Sequence, residues 1–240
     1  MLTTEIAACC KRLRLSKNIV ENAKQIEAET HQEYLLKLLQ SEILHREEAR
    51  KDKLLKNAGF YTIKAFKSFI FDEITLPATV TVEYLRNCEF LKTKTNLVMY
   101  GNVGTGKTHL STAIGVEACR SGIEVKFFRT AGLVNRLSES KKNGQLSSFI
   151  KKLVKADLII CDEWGYVPLD RAGAQLLFEV ISECYEQKSI IINTNIEFSR
   201  WVNVFYDEQM TGAILDRLLH HCHLLLFSGA SHRMKESSLF

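Results

Sequence analysis

The chain has 240 residues, 46% apolar and 25% charged, an ordinary globular composition with enough length for one sizeable core and an appendage. Lys and Arg total 32 against 28 Asp and Glu, and the net charge of +4 permits contact with nucleic acid without arguing for it. The seven cysteines are odd in number and lack Cys-x-x-Cys spacing, so they read as reduced thiols. No apolar run nears the roughly 18 residues of a membrane span, and the expectation is a cytoplasmic protein with no membrane contact.

The first predicted element lies between Thr30 and Asn57, a stretch without Gly or Pro in which Leu35, Leu38, Leu39, Glu42, Ile43 and Arg46 keep helical spacing. Its pairs Glu42/Arg46 and Glu47/Lys51 stand four apart and read as a solvated face with mutual support. The basic residues Lys11, Arg12, Arg14 and Lys17 ahead of it are either a solvated helix face or a contact to a DNA backbone. Residues 58 to 95 carry Gly59, Phe60, Phe66, Phe69, Phe71 and Pro77 and read as a connecting segment folded onto the next domain. The phenylalanines serve core packing or the wall of an adenine pocket.

Five short apolar runs then alternate with longer helical patterns: 97–100, 125–128, 158–161, 189–192 and 224–227. Buried strands separated by helices imply a parallel sheet covered on both faces. Directly after the first run comes Gly101-Asn102-Val103-Gly104-Thr105-Gly106-Lys107-Thr108, with a helical pattern opening through His109. Glycines let such a loop turn its N–H groups toward phosphate oxygens, and the helix directs its positive end at the same charge. Lys107 is expected to reach the β and γ phosphates of ATP and Thr108 to place its hydroxyl on Mg²⁺. The third run ends in Asp162-Glu163, where ligands gather in open α/β sheets. Asp162 is the expected partner of Mg²⁺ and Glu163 the group that polarises an attacking water.

The fourth run ends Asn193-Thr194-Asn195, where a polar side chain either sits between loop and acids or serves as an ordinary turn residue. Arg217 and Arg233 suit charge on phosphoryl oxygens, although from spacing alone either is more often a surface ion-pair residue. His220-His221-Cys222-His223 invites a metal reading, set against a helix end running into the last strand, because adjacent residues point apart.

These motifs together resemble the IstB-like ATP-binding proteins, the helper ATPases encoded beside the transposase in bacterial insertion sequences, with the DnaC helicase loaders as close relatives. The resemblance covers nearly the whole chain and rests on Gly-x4-Gly-Lys-Thr-His-Leu, on 162–169 (Asp-Glu-Trp-Gly-Tyr-Val-Pro-Leu), and on Trp201 before Asp216-Arg217-Leu218-Leu219-His220-His221. The closing Gly229-x-Ser231-x-Arg233 matches too. It departs at 193–194, where Thr-Ser is usual, and at His232, where Tyr is usual. The resemblance implies an α/β fold with an AAA+ P-loop NTPase core on a five-stranded parallel sheet, its sensor strand between the phosphate-loop strand and the acidic strand. A small helical domain (1–66) would precede the ATPase domain (67–240). It further implies Asn195 as first sensor, Arg217 as a finger acting on a neighbour's nucleotide, Arg233 as second sensor, and residues Gly101 to His109 on ATP. The implied activity is ATP hydrolysis by a homo-oligomer that has ATP sites at subunit interfaces, assembles on double-stranded DNA and recruits a cognate transposase. The alternative client is a replicative helicase loaded on single-stranded DNA. A small-molecule kinase, the reading from another class, predicts an arginine-rich lid, and no obvious lid insertion interrupts the chain.

Overall fold

The computed structural model describes residues 2–205 and 207–232. They divide into two compact units, with the boundary between Lys53 and Leu54. Residues 54–66, which the sequence reading places with the helical domain, fall in the second unit.

The first unit contains α1 (Leu2–Arg12), α2 (Asn18–Gln25) and most of α3 (His31–Asn57). Its polar lock is Glu42, which is only 4% exposed. One carboxylate oxygen accepts from Ser16 N at 2.9 Å and from Arg46 Nε at 2.7 Å, and the other accepts from Ser16 Oγ. Burial pushes the Glu42 carboxyl up, and the bonds from Ser16 and Arg46 outweigh it, leaving the group below its ordinary value. The Glu42/Arg46 pair is therefore not a solvated face. Glu42 closes the turn between α1 and α2, which spacing along one helix does not reveal. Leu35, Leu39 and Ile43, the expected apolar stripe, are about half exposed.

The second unit runs β1 (Ile74–Thr75), α4 (Val82–Arg86), β2 (Asn96–Gly101), α5 (Lys107–Arg120), β3 (Val125–Arg129), α6 (Thr130–Lys142), α7 (Leu146–Leu153) and β4 (Leu158–Trp164). It continues through α8 (Arg171–Cys184), β5 (Ser189–Thr194), α9 (Val202–Phe205), α10 (Glu208–Leu219) and β6 (Cys222–Phe227). The sheet order is β1-β6-β2-β5-β4-β3. All five expected strands are present and pair in parallel, with β5 between β2 and β4 as the resemblance implies. The sheet is nevertheless six-stranded and mixed among the described residues, because β1 adds an antiparallel edge opposite Phe227 and Leu226. Two residues are too few to show a period of two, so nothing in residues 58–95 announces that strand.

Alternate residues of each strand feed two separate cores. Leu97, Met99, Leu158, Ile160 and Ile191 face α5, packing with Leu110, Ala113 and Ile114 and with Phe66 and Phe90. Val98, Ile159, Cys161, Ile190 and Ile192 face the other way, toward α6, α7, α8 and α10. Both faces are covered, which is why these strands read as continuous apolar runs. The helix α5 stops near Gly122, whose φ of +82° suits the turn leading into β3.

Candidate functional site

The loop from Gly101 to Gly106 joins β2 to α5, and two of its glycines are demanded by their surroundings. A Cβ on Gly104 (φ +83°) would lie 2.1 Å from Ser231 Oγ, and one on Gly101 would lie 2.2 Å from the Phe227 carbonyl oxygen. The segment after β6 therefore lies against the loop, and His232 N donates to Gly104 O at 3.0 Å. Arg233, the next residue, lies outside the described residues. Within the loop, Thr105 Oγ1 donates to Asn102 O at 2.8 Å. Lys107 Nζ donates to the carbonyls of Gly101 and Asn102, both at 2.6 Å, so the ammonium is folded back over the loop mouth.

At the floor of the loop the acidic strand arrives. Asp162 is 5% exposed and accepts from Thr108 Oγ1, whose one proton is shared between the carboxylate oxygens at 3.0 and 3.1 Å, and from Asn193 Nδ2 at 2.9 Å. Asn193 Nδ2 also donates to Ser111 Oγ at 2.7 Å. Thr130 Oγ1 fixes the backbone by donating to Asp162 O at 2.9 Å. Asp162 thus stands on the α5 face of the sheet, in step with Leu158 and Ile160.

Glu163 leaves that rhythm. The β4/β5 register passes from Cys161↔Ile192 to Trp164↔Thr194, so one extra residue is accommodated on β4, and Glu163 takes a left-handed φ of +56°. A bulge inserts one residue and re-aims its side chain. Here it turns Glu163 outward and returns Trp164 to the core, where its ring lies 5.4 Å from that of Trp201. The Glu163 carboxylate is 3.6 Å from Arg129 Nε, and the Arg129 guanidinium lies 4.5 Å over the Tyr61 ring.

A cleft of about 520 Å³ opens beside the loop, with Phe69 and Ile70 on one wall and Gly104 to His109 on the other. Phe69 meets His109 edge to face at 5.2 Å, and His109 Nε2 is 3.2 Å from both Ala65 O and Ser68 Oγ. Burial keeps this imidazole below its ordinary value, against the opposing bond at Ala65. Of the phenylalanines, Phe66 is core and Phe69 lines the cleft.

The remaining candidates lie elsewhere. Asn195 is exposed beyond the end of β5, in a recess shared with Tyr100 and Tyr166. The β5 side chain that meets Asp162 is Asn193, and strand parity from Ile191 would have singled it out. Ser111, one turn after Thr108, likewise escaped the sequence reading. Arg217 donates to Ala213 O at 2.9 Å and covers the Phe178 ring at 5.0 Å. Its neighbour Leu218 accepts from Asn96 Nδ2 at 3.0 Å, so Arg217 belongs to the edge where β2 begins, roughly 17 Å of strand from the loop at its far end. The sequence 220–223 is a helix end entering β6.

The donors fit a phosphate chain and a hard cation. Thr108 Oγ1 and Asp162 are oxygen donors 3.0 Å apart, the separation of adjacent ligands about 2.1 Å from an octahedral Mg²⁺. The loop mouth holds the Lys107 ammonium, and the cleft lined by Gly104 to His109 opens beside it.

The model of one protein family, described as IstB-like ATP binding protein, matches residues 10–239. The ATP-binding protein of insertion sequence IS232 from Bacillus thuringiensis subsp. berliner is 35% identical over 205 residues, spanning 85% of this chain and 82% of that one. Its counterpart from IS21 of Pseudomonas aeruginosa is 34% identical over 220 residues, spanning 92% and 83%. Among solved structures, the replication initiator DnaA bound to AMPPCP and single-stranded DNA superposes with a TM-score of 0.55 at 21% identity. It covers 71% of this chain and 52% of that chain, a likeness of fold.

Proposed function

Because the chain belongs to the family of IstB-like ATP-binding proteins of insertion sequences, with an AAA+ fold, we propose that it is an ATPase that binds ATP with Mg²⁺ at Gly101–Thr108 and uses it to act on DNA. The observation that carries this reading is the buried Asp162, held by Thr108 at the start of α5 and by Asn193 on the neighbouring strand.

Mg²⁺, when bound, neutralises phosphate charge. Thr108 and Asp162 hold it through oxygen. Lys107 exchanges the carbonyls of Gly101 and Asn102 for phosphate oxygens, and the N–H groups of the loop up to His109 receive the rest. Phe69 supplies an apolar surface for the base. Glu163, once released from Arg129, orients the attacking water. Asn195 is the first sensor and Arg233 the second.

Arg217 stands at the far edge of the sheet from its own loop, which supports action on the nucleotide of a neighbouring copy. The working form in this reading is therefore a homo-oligomer with ATP sites at subunit interfaces. In this reading residues 67–240 carry the chemistry and residues 1–66, helical up to Asn57, precede them. The oligomer assembles on double-stranded DNA and recruits a cognate transposase in the cytoplasm. No helix among the described residues is long and apolar enough to cross a membrane.

The test is retention of the purified protein on duplex DNA with and without ATP. ATP-dependent retention that Lys107→Ala abolishes is expected. Retention that ignores ATP, or survives Lys107→Ala, refutes the reading. Co-purification with a helicase hexamer and preference for single strands would move the client from transposase to helicase.

A further inference from the structure

The turn after α10 brings together side chains that the nucleotide site does not use. His220 caps the C-terminal end of α10 and His221 comes next in the turn, so the usual divergence of neighbouring side chains does not apply: their ring centroids lie 4.1 Å apart. Both face Glu186, which stands in the turn between α8 and β5. The carboxylate oxygen of Glu186 is 3.8 Å from His220 Nδ1 and 3.9 Å from His221 Nε2. One ligand atom from each of the three residues lies within 4.8 Å of the other two.

The backbone holds these groups in place. Glu186 adopts a left-handed φ of +58°, a conformation that costs an L-residue about 1 kcal/mol or more and here aims its carboxylate across at the histidines. The turn is closed by bonds from Gln187 N and Lys188 N to Cys184 O, and His221 O accepts from Asn96 N at the start of β2 at 2.8 Å.

We propose that Glu186, His220 and His221 form a binding site for a divalent late first-row transition metal of the Zn²⁺ class, with the remaining position open to water. Two imidazoles and a carboxylate are a recurrent three-ligand zinc set. Tetrahedral ligands about 2.1 Å from the metal stand about 3.4 Å apart, so the present separations close with small rotations of half-exposed side chains. The negative end of the α10 dipole favours a cation at this spot. Tyr185 Oη, 2.8 Å from His220 Nδ1, would give up that bond and turn to Glu186, becoming an outer partner that orients a ligand. The site is remote from Thr108 and Asp162, at the opposite edge of the sheet, and stands independently of the nucleotide reading.

The experiment is titration of the nucleotide-free full chain with Co²⁺ in excess Mg²⁺, followed by the visible d–d band and by displacement with Zn²⁺. One Co²⁺ per chain is expected, displaced by Zn²⁺, whose filled d shell imposes no cost on a tetrahedral geometry. No sulfur-to-cobalt charge-transfer band should appear. His220→Ala, His221→Ala and Glu186→Gln should each weaken binding at least about tenfold, and Tyr185→Phe should weaken it less. No saturable band, a thiolate charge-transfer band, or unchanged affinity in a folded His220→Ala/His221→Ala chain overturns the proposal. Should that double variant fail to fold, Glu186→Gln decides: unchanged affinity overturns the site, and a tenfold loss supports it.

Discussion

Replacing Gly104 by alanine separates the demands of the loop from those of the fold. The backbone at Gly104 has φ +83°, where an L-residue costs about 1–2 kcal/mol. The new methyl would sit 2.1 Å from Ser231 Oγ and 3.0 Å from Ser231 Cβ, so the segment after β6 must retreat and the bond from His232 N to Gly104 O is lost. That bond contributes about 1 kcal/mol net. Together these amount to about 2–3 kcal/mol borne by the loop in its binding shape, or about 30- to 150-fold in nucleotide affinity. Gly122 is the control. Its φ of +82° carries the same backbone strain, but a Cβ there meets nothing within 4 Å. Gly122→Ala should lower the melting temperature by a few degrees and leave ATP affinity unchanged. Calorimetric titration with a non-hydrolysable ATP analogue reads both variants. Affinity of Gly104→Ala within about threefold of the parent, or an equal loss in Gly122→Ala, would refute the reasoning.

The same geometry sets three further expectations. Glu163→Gln should bind nucleotide normally and slow its hydrolysis by about 10²-fold or more, the scale of a lost general base, as single-turnover kinetics would show. Asn193→Ala removes the bonds to Asp162 and Ser111. It should therefore weaken Mg²⁺-dependent nucleotide binding, whereas Asn195→Ala should leave binding intact and affect turnover; equal binding defects would erase the distinction. For Glu42, the folded carboxyl lies below the unfolded value of about 4.5. Its contribution to the first unit is thus full above that value and disappears as pH falls through the lowered one. Glu42→Gln should remove this acid step from hydrogen-exchange protection of α1 and α2, and an unchanged acid profile would count against it.

The parallel strands were legible because burial on both faces makes them uninterrupted apolar runs, and the loop because few residue types permit its backbone. What escaped notice depends on contacts made across the chain. The strand β1 has two residues and exists only because β6 offers an edge. Asn193 outranks Asn195 at Asp162 through strand parity, a distinction lost when the three-residue end of β5 is read as a turn. Glu42 reads as half of a helical surface pair until Ser16, 26 positions earlier, folds onto it. His220 and His221 converge because a helix ends between them and the next strand. Each is a property of where a turn falls, and turns are set by partners distant in sequence.

The extra residue on β4 also makes the acidic pair mechanically unequal. Asp162 is pinned by hydrogen bonds from α5, β5 and α6, while Glu163 hangs between that fixed point and Trp164, which is clamped by Trp201 and Phe205. Glu163 is the single residue between a hydrogen-bonded anchor and an aromatic one, so its left-handed backbone joins the packing of Trp164 to the position of Asp162.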